Sequence, residues 1–195
     1  VSARERVLAR VRTALEERTR VPHPGPFRGT RPEPPPADPL EGFSTLFLDA
    51  GGEVVRVADE AAATAWARAF AAGFGSVAVG ATVPPSLAPA SRPSAPPETA
   101  ELGVSMALGA VAETGSLLLH SADGRRTQLL PPTHLVVVHA SSIHPTLVGA
   151  LSSLRSSLPA ALGLHSGPSK SADIGQVLLR GVHGPGRVVA LIIEA

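Results

Sequence analysis

The sequence predicts an α/β protein built on an open, mainly parallel sheet with helices on both faces. Two observations carry this. Apolar runs of strand length, such as Leu135 to His139 and Arg187 to Ile193, lack polar alternation, as strands covered on both sides do. Between such runs lie stretches with the apolar spacing of helices, so strand and helix alternate along the chain. A chain of 195 residues with 44% hydrophobic content suffices for one compact core and is short for two.

The elements follow in order. Ser2 and Glu5 stand at the spacing of a capping box, and Val7, Leu8, Val11 and Leu15 fall on one side of the helix it opens, expected to run to about Arg18. From Val21 to Pro39 there are eight prolines, which remove backbone donors and favour extended conformations. Residues 1–39 are therefore expected to be a basic amphipathic helix and a linker, and residues 40–195 the α/β domain. Phe43, Leu46, Phe47 and Ala50 keep helical spacing, and Gly51-Gly52 can end that helix. Val54 to Val57 is a β-branched run. Asp59 can cap an Ala-rich helix carrying Trp66 and Phe70, Gly73 can end it, and Ser76 to Val79 forms a brief strand. Residues 81–97 form a second proline-rich loop.

In the second half, Ala110 to Ala112 and Ser116 to His120 flank the Glu113-Thr114-Gly115 break. Asp123-Gly124 is expected to mark a hairpin turn, and Leu135 to His139 a buried strand. A helix is expected from about Pro145 to Leu158, then strands at Leu162 to Ser166 and Arg187 to Ile193.

Composition removes several classes of function. There is no cysteine, so disulfides, thiolate metal sites and cysteine-ligated iron–sulfur clusters are chemically excluded. No histidine pair gives a convincing zinc set, and no intrinsic metal is expected. No apolar run approaches the roughly 18 residues of a membrane span, and the first residues lack a signal-peptide core, so a soluble, cytoplasmic protein is expected. The net charge of +1 is uneven. Residues 1–31 hold eight Arg against three Glu, a basic arm that reads first as a solvated helix face and last as a nucleic-acid contact, since no aromatics accompany it for base stacking.

In open α/β sheets ligands collect beyond strand ends, which singles out three segments. In Gly167-Pro168-Ser169-Lys170-Ser171-Ala172-Asp173-Ile174, backbone amides, the Ser169 and Ser171 hydroxyls and Lys170, the only lysine, can surround an anion if Asp173 opens a helical turn. Equally, Ser171 and Asp173 can cap that turn and leave Lys170 in solvent. In Ala112-Glu113-Thr114-Gly115-Ser116, Glu113 lies between apolar strands. It can act as acid, base or covalent nucleophile, or bond the amides of a neighbouring loop and hold the Gly115 turn. In Gly181-Val182-His183-Gly184-Pro185, His183 can move a proton or hold an anion, or bond a nearby carbonyl.

Quoted in order, AETGSLLL, LLPPTHLVVV, GPSKSADI and GVHGP followed by the VVALIIE strand span residues 112–194 and resemble the LUD-domain family, which includes lactate utilisation protein C. The stretch from about Leu40 is similar in pattern more than in letters. The resemblance implies a Rossmann-like fold similar to the NagB/RpiA/CoA-transferase group. It also implies a role with two partner proteins, at least one carrying iron–sulfur clusters, in oxidising L-lactate to pyruvate. On that reading this chain holds no cofactor of its own, and an anion pocket built from Glu113, Thr114, Gly115, Gly167, Ser169, Lys170, Ser171, Asp173, His183 and Gly184 lies beside a partner's redox site. A stand-alone acyl-transfer or sugar-phosphate enzyme using Glu113 is the other account. Two positions depart from the family pattern: Ser116 stands where Thr is common and keeps the hydroxyl, and Gly175 stands where an acidic residue is common and removes a charge.

Overall fold

The computed structural model describes residues 2–16, 36–171 and 179–195. Two compact units are separable, Val1–Glu33 and Pro34–Ala195. In the first, α1 (Ala3–Glu16) begins with the expected capping box: the Ser2 amide donates to Glu5 Oε2 at 2.6 Å and the Glu5 amide to Ser2 Oγ at 3.2 Å. These bonds hold the Glu5 carboxyl below its ordinary pKa. Within α1 no residue is buried, and Val7, Leu8, Val11 and Leu15 are exposed. The expected continuation to Arg18 and most of the proline-rich stretch lie outside the described residues.

The second unit begins with α2 (Pro39–Asp49), where Asp38 accepts from the Leu40 and Glu41 amides and Pro39 occupies the first turn. Then come β1 (Glu53–Val57), α3 (Glu60–Ala71) and β2 (Val77–Val79). The Asp59 cap of α3 is as expected, accepting from the Ala62 amide at 2.8 Å. After the proline-rich loop, β3 (Leu102–Val111) turns back into β4 (Ser116–His120), and α4 (Arg125–Leu129) leads to β5 (Thr133–His139). The chain closes with β6 (Ile143–His144), α5 (Leu147–Ser153), β7 (Leu162–His165), the two-residue strands β8 (Lys170–Ser171) and β9 (Leu179–Arg180), and β10 (Arg187–Ile193).

The sheet order is β1-β10-β5-β3-β4-β7, with β2 and β6 also pairing with β3. The β1/β10, β10/β5, β5/β3, β2/β3 and β6/β3 ladders are parallel, whereas β3/β4 and β4/β7 are antiparallel. The expected mainly parallel sheet is therefore present, with an antiparallel end. β3 changes partners along its length: Leu102 to Met106 run beside β5, and Ala107 to Val111 pair with β4 across a register shift between Ala107 and Gly109. A side chain at Gly109 would place its Cβ 2.5 Å from the Ser142 carbonyl oxygen, so only glycine lets the neighbouring backbone approach there.

Both faces are covered, each by a different helix. Val136, Val138, Val188, Ala190 and Ile192 pack with Phe43 and Phe47 of α2, whose rings lie 5.3 Å apart. The alternate residues Leu135, Val137, Val189, Leu191 and Ile193 pack with Ala63, Ala67 and Ala71 of α3. Strict alternation of faces along β5 and β10 explains their unbroken apolar runs. The alanines of α3 meet the sheet and let the helix approach closely, while Trp66 and Phe70 stack at its margin, with Arg187 over the Phe70 ring.

Three expectations are corrected. Asp123-Gly124 is not a hairpin: β4 passes through a single 3-10 turn into α4, and β5 lies on the other side of β3. The buried Asp123 carboxylate instead accepts the Thr82 amide at 2.7 Å, fastening the proline-rich loop. The tight β3–β4 turn is at residues 112–115. The Pro145 to Leu158 helix is only Leu147–Ser153, since serines at and after its end bond local carbonyls, Ser153 Oγ to Ala150 at 2.8 Å and Ser157 Oγ to Leu154. The strand expected at Ala110 to Ala112 begins at Leu102. Among the described residues no helix is long and apolar enough to cross a membrane.

Candidate functional site

Glu113 sits in the β3–β4 turn, exposed, and its Oε1 accepts the Leu147 amide at 2.9 Å at the start of α5. The Ala112 and Glu113 amides donate to the carbonyls of His144 and Pro145, so the turn is bound along one side to the β6–α5 connection. Of the roles the sequence left open, this is the amide-bonding one. Gly115 has φ +58°, and a Cβ there would lie 2.7 Å from Leu46 Cβ and 2.9 Å from the Phe47 nitrogen, so the turn presses on α2 itself. Thr114 Oγ1 lies 2.8 Å from Ser116 Oγ, which lies 2.6 Å from Ser166 Oγ. This row of hydroxyls links the turn to the residue before Gly167.

The other two predicted segments meet each other directly. The Ser169 amide donates to the Pro185 carbonyl and the Gly181 amide to the Ser169 carbonyl, each at 2.9 Å, and the His183 amide donates to Ser169 Oγ at 3.3 Å. A Cβ at Gly184 would lie 3.3 Å from Ser169 Cβ, and Gly167, with φ +116°, turns against Ala50 at the end of α2. Lys170 pairs with Arg180 across the β8–β9 ladder and Ser171 with Leu179. A Cβ at Gly51 would lie 3.4 Å from Arg180 Nη2 and 3.5 Å from Lys170 Nζ, so both cations stand at the carbonyl end of α2, where positive charge is favourable. His183 is exposed. Asp173, and the helical turn expected to start there, lie outside the described residues. No hydrogen bond or ion pair among the described residues joins Glu113 to Lys170 or His183, so two of the three segments come together and the carboxylate is engaged elsewhere.

A second constellation escaped the sequence reading. His134, fully buried at the start of β5, has Nε2 3.0 Å from Ser105 Oγ, while its Nδ1 has no partner. Burial, reinforced by His165, pushes its pKa down to about 3, so the ring is neutral. The His165 ring stands edge-on at 6.1 Å between centroids, and its own pKa is lowered by burial. His165 borders a cleft of about 210 Å³ between α4 and β7, lined also by Ser121, Arg125, Gln128, Leu129 and Leu162. Leu129 connects this cleft to the predicted segments, since a Cβ at Gly184 would lie 3.7 Å from its Cδ2. The available signal was chemical: a histidine inside an apolar strand, and a glutamine in a short helix between two leucine-bearing strands. Among the described residues no group of three or more His, Asp or Glu side chains could hold a metal ion.

Comparison with known proteins adds the family. A LUD-domain sequence profile matches residues 97–193. The lactate utilization protein C 1 of Bacillus mycoides (strain KBAB4) is 35% identical over 105 residues, 50% of this chain and 45% of that protein. Lactate utilization protein C of Bacillus subtilis (strain 168) is 34% identical over 50% of this chain and 44% of its own length. The YkgG protein of Escherichia coli (strain K12) is 36% identical over 50% and 46%. The match spans about half the length of these curated relatives. A crystal structure of a DUF162 family protein from Deinococcus radiodurans shares the fold, with a TM-score of 0.61 and 23% identity over 81% of this chain and 98% of that one. On the profile match and these consistent relatives, residues 97–193 of the chain belong to the LUD-domain family.

Proposed function

We infer that this protein is a cysteine-free subunit of an iron–sulfur-dependent system that oxidises L-lactate to pyruvate, in which it holds a small anion and docks beside its partners' redox centres. The observation that carries this reading is the similarity to proteins named lactate utilization protein C, joined to the complete absence of cysteine from the sequence. Converting lactate to pyruvate removes two electrons and two protons, and a chain without thiolates has no ligands for a conventional cluster, so the electrons leave through partner subunits. The N-terminal α1, with its apolar stripe exposed between arginines, is the docking element on this reading.

The test is reconstitution. Lactate-dependent reduction of an artificial acceptor should require this chain together with two partner proteins, at least one carrying iron–sulfur clusters. Equal turnover by the partners alone would refute the assignment. Glu113 is not assigned a covalent role, because its carboxylate is exposed and bonded to the Leu147 amide.

A further inference from the structure

The cleft between α4 and β7 holds one cation and no carboxylate among its lining residues. That cation is Arg125, which makes no ion pair among the described residues, whereas the adjacent Arg126 is engaged with Glu98. In the same cleft, Ser121 Oγ accepts the Ala161 amide at 3.3 Å and keeps its proton for donation. Gln128 is buried, and its Nε2 is held by the His120 carbonyl at 2.8 Å, which fixes the side chain and leaves Oε1 as an acceptor. Leu129 and Leu162 supply apolar wall, and the His165 ring closes the inner end against His134.

We propose that this cleft binds a short-chain monocarboxylate, with the carboxylate on Arg125 and Ser121, an α-substituent toward Gln128 and His165, and the alkyl end against Leu129 and Leu162. Charge selects a monoanion, because one guanidinium faces neutral partners and a second negative charge would be left unmatched. Size selects a short chain. A volume of about 210 Å³ lies below the roughly 300–1,000 Å³ of pockets that enclose drug-sized ligands, so the cleft can enclose a short chain but not a whole nucleotide or coenzyme A thioester. Neutral His165 adds polarity without charge, and the Ser105–His134 bond behind it keeps that wall in place.

This assignment rests on the reading of the protein as an anion-holding subunit, but its test needs no partner protein. Titration of the full chain by calorimetry with propanoate, L-lactate and pyruvate should give dissociation constants on the order of 1 mM or tighter. Arg125→Gln should weaken each by about tenfold or more, while Arg126→Gln, which removes the same charge one residue away, should stay within about twofold of the wild type. Unchanged circular dichroism and melting temperature in both variants tie the loss to the site. Absence of binding at about 20 mM ligand, equal losses in the two arginine variants, or tighter binding of inorganic phosphate than of propanoate would each overturn the proposal. Carboxylate binding through Arg125 in a protein dispensable for lactate oxidation would leave the site standing and remove the lactate role. A required subunit whose carboxylate affinity ignores Arg125 would do the reverse.

Discussion

His134 should make the domain sensitive to mild acid, and the size of the effect follows from its position. In the unfolded chain its imidazole titrates near its ordinary 6.5, whereas in the fold it is held to about 3. A depressed folded pKa means stability that is complete above pH 6.5 and lost as pH falls toward the folded value, because the unfolded state takes up a proton that the native state refuses. One proton corresponds to about 1.4 kcal/mol per pH unit, so lowering the pH from about 7.5 to about 4.5 should remove about 2.5 kcal/mol. His165, shifted in the same direction, adds to the loss. Against a total of about 5–15 kcal/mol this is a large fraction. The window also separates the histidines from Glu53, whose carboxyl is held low by Arg187 and loses its stabilisation only below its ordinary 4.5. Urea unfolding across this range measures the slope directly. His134→Gln should flatten it by at least about 1.5 kcal/mol whatever the variant's stability at neutral pH. Identical slopes in the two proteins would refute the argument that the buried ring stays neutral.

Other substitutions test the packing around the predicted segments. Gly115→Ala combines positive-φ strain of about 1–2 kcal/mol with overpacking of about 1–3 kcal/mol against α2. Gly51→Ala, at φ +87°, meets only the movable tips of Arg180 and Lys170 and should cost the strain alone, so equal losses in urea unfolding would contradict the role given to the α2 contact. Glu113→Ala removes the acceptor of the Leu147 amide and should lower stability by about 0.5–2 kcal/mol, with Glu113→Gln recovering most of it; a neutral alanine variant would show that the bond carries no weight. Asp123→Ala strands the Thr82 amide and should cost about 1–3 kcal/mol, with faster proteolysis in residues 81–97 as its local signature.

Much of the layer structure was legible because it rests on local rules. The caps at Ser2 and Asp59 read correctly from spacing alone, and β5 and β10 declared themselves by apolar runs that only a sheet covered on both faces requires. The first part of β3 did not, since Gly103, Ser105 and Gly109 look unlike strand residues. Each answers a distant neighbour: a Cβ at Gly103 or Gly109 would lie 2.5 Å from the Thr127 or Ser142 carbonyl oxygen, and Ser105 bonds His134. Asp123-Gly124 misled for the complementary reason, because a dipeptide that suits a hairpin is used to tie down a loop 41 positions away. At the site, Ser169 and His183 lie together, while Glu113 is engaged with an amide 34 positions distant. The Arg125–His165 cleft joins residues separated by two strands and a helix, and no local pattern encodes that meeting.

The position of β10 determines how this fold can be reached. It lies between β1 and β5 and pairs with both along its length, so those two strands have no ladder joining them until residues 187–193 arrive. Assembly cannot then proceed strand by strand along the chain, because the stretch from Val57 to Arg187 must be enclosed before β1 joins the sheet. Contacts of such long sequence separation slow folding, and until they form the facing sides of β1 and β5 stay open to other chains. A fragment stopping before Arg187 should therefore leave β1 without a partner and one edge of β5 open, and the slowest step in refolding should be the entry of β10 rather than the formation of any helix.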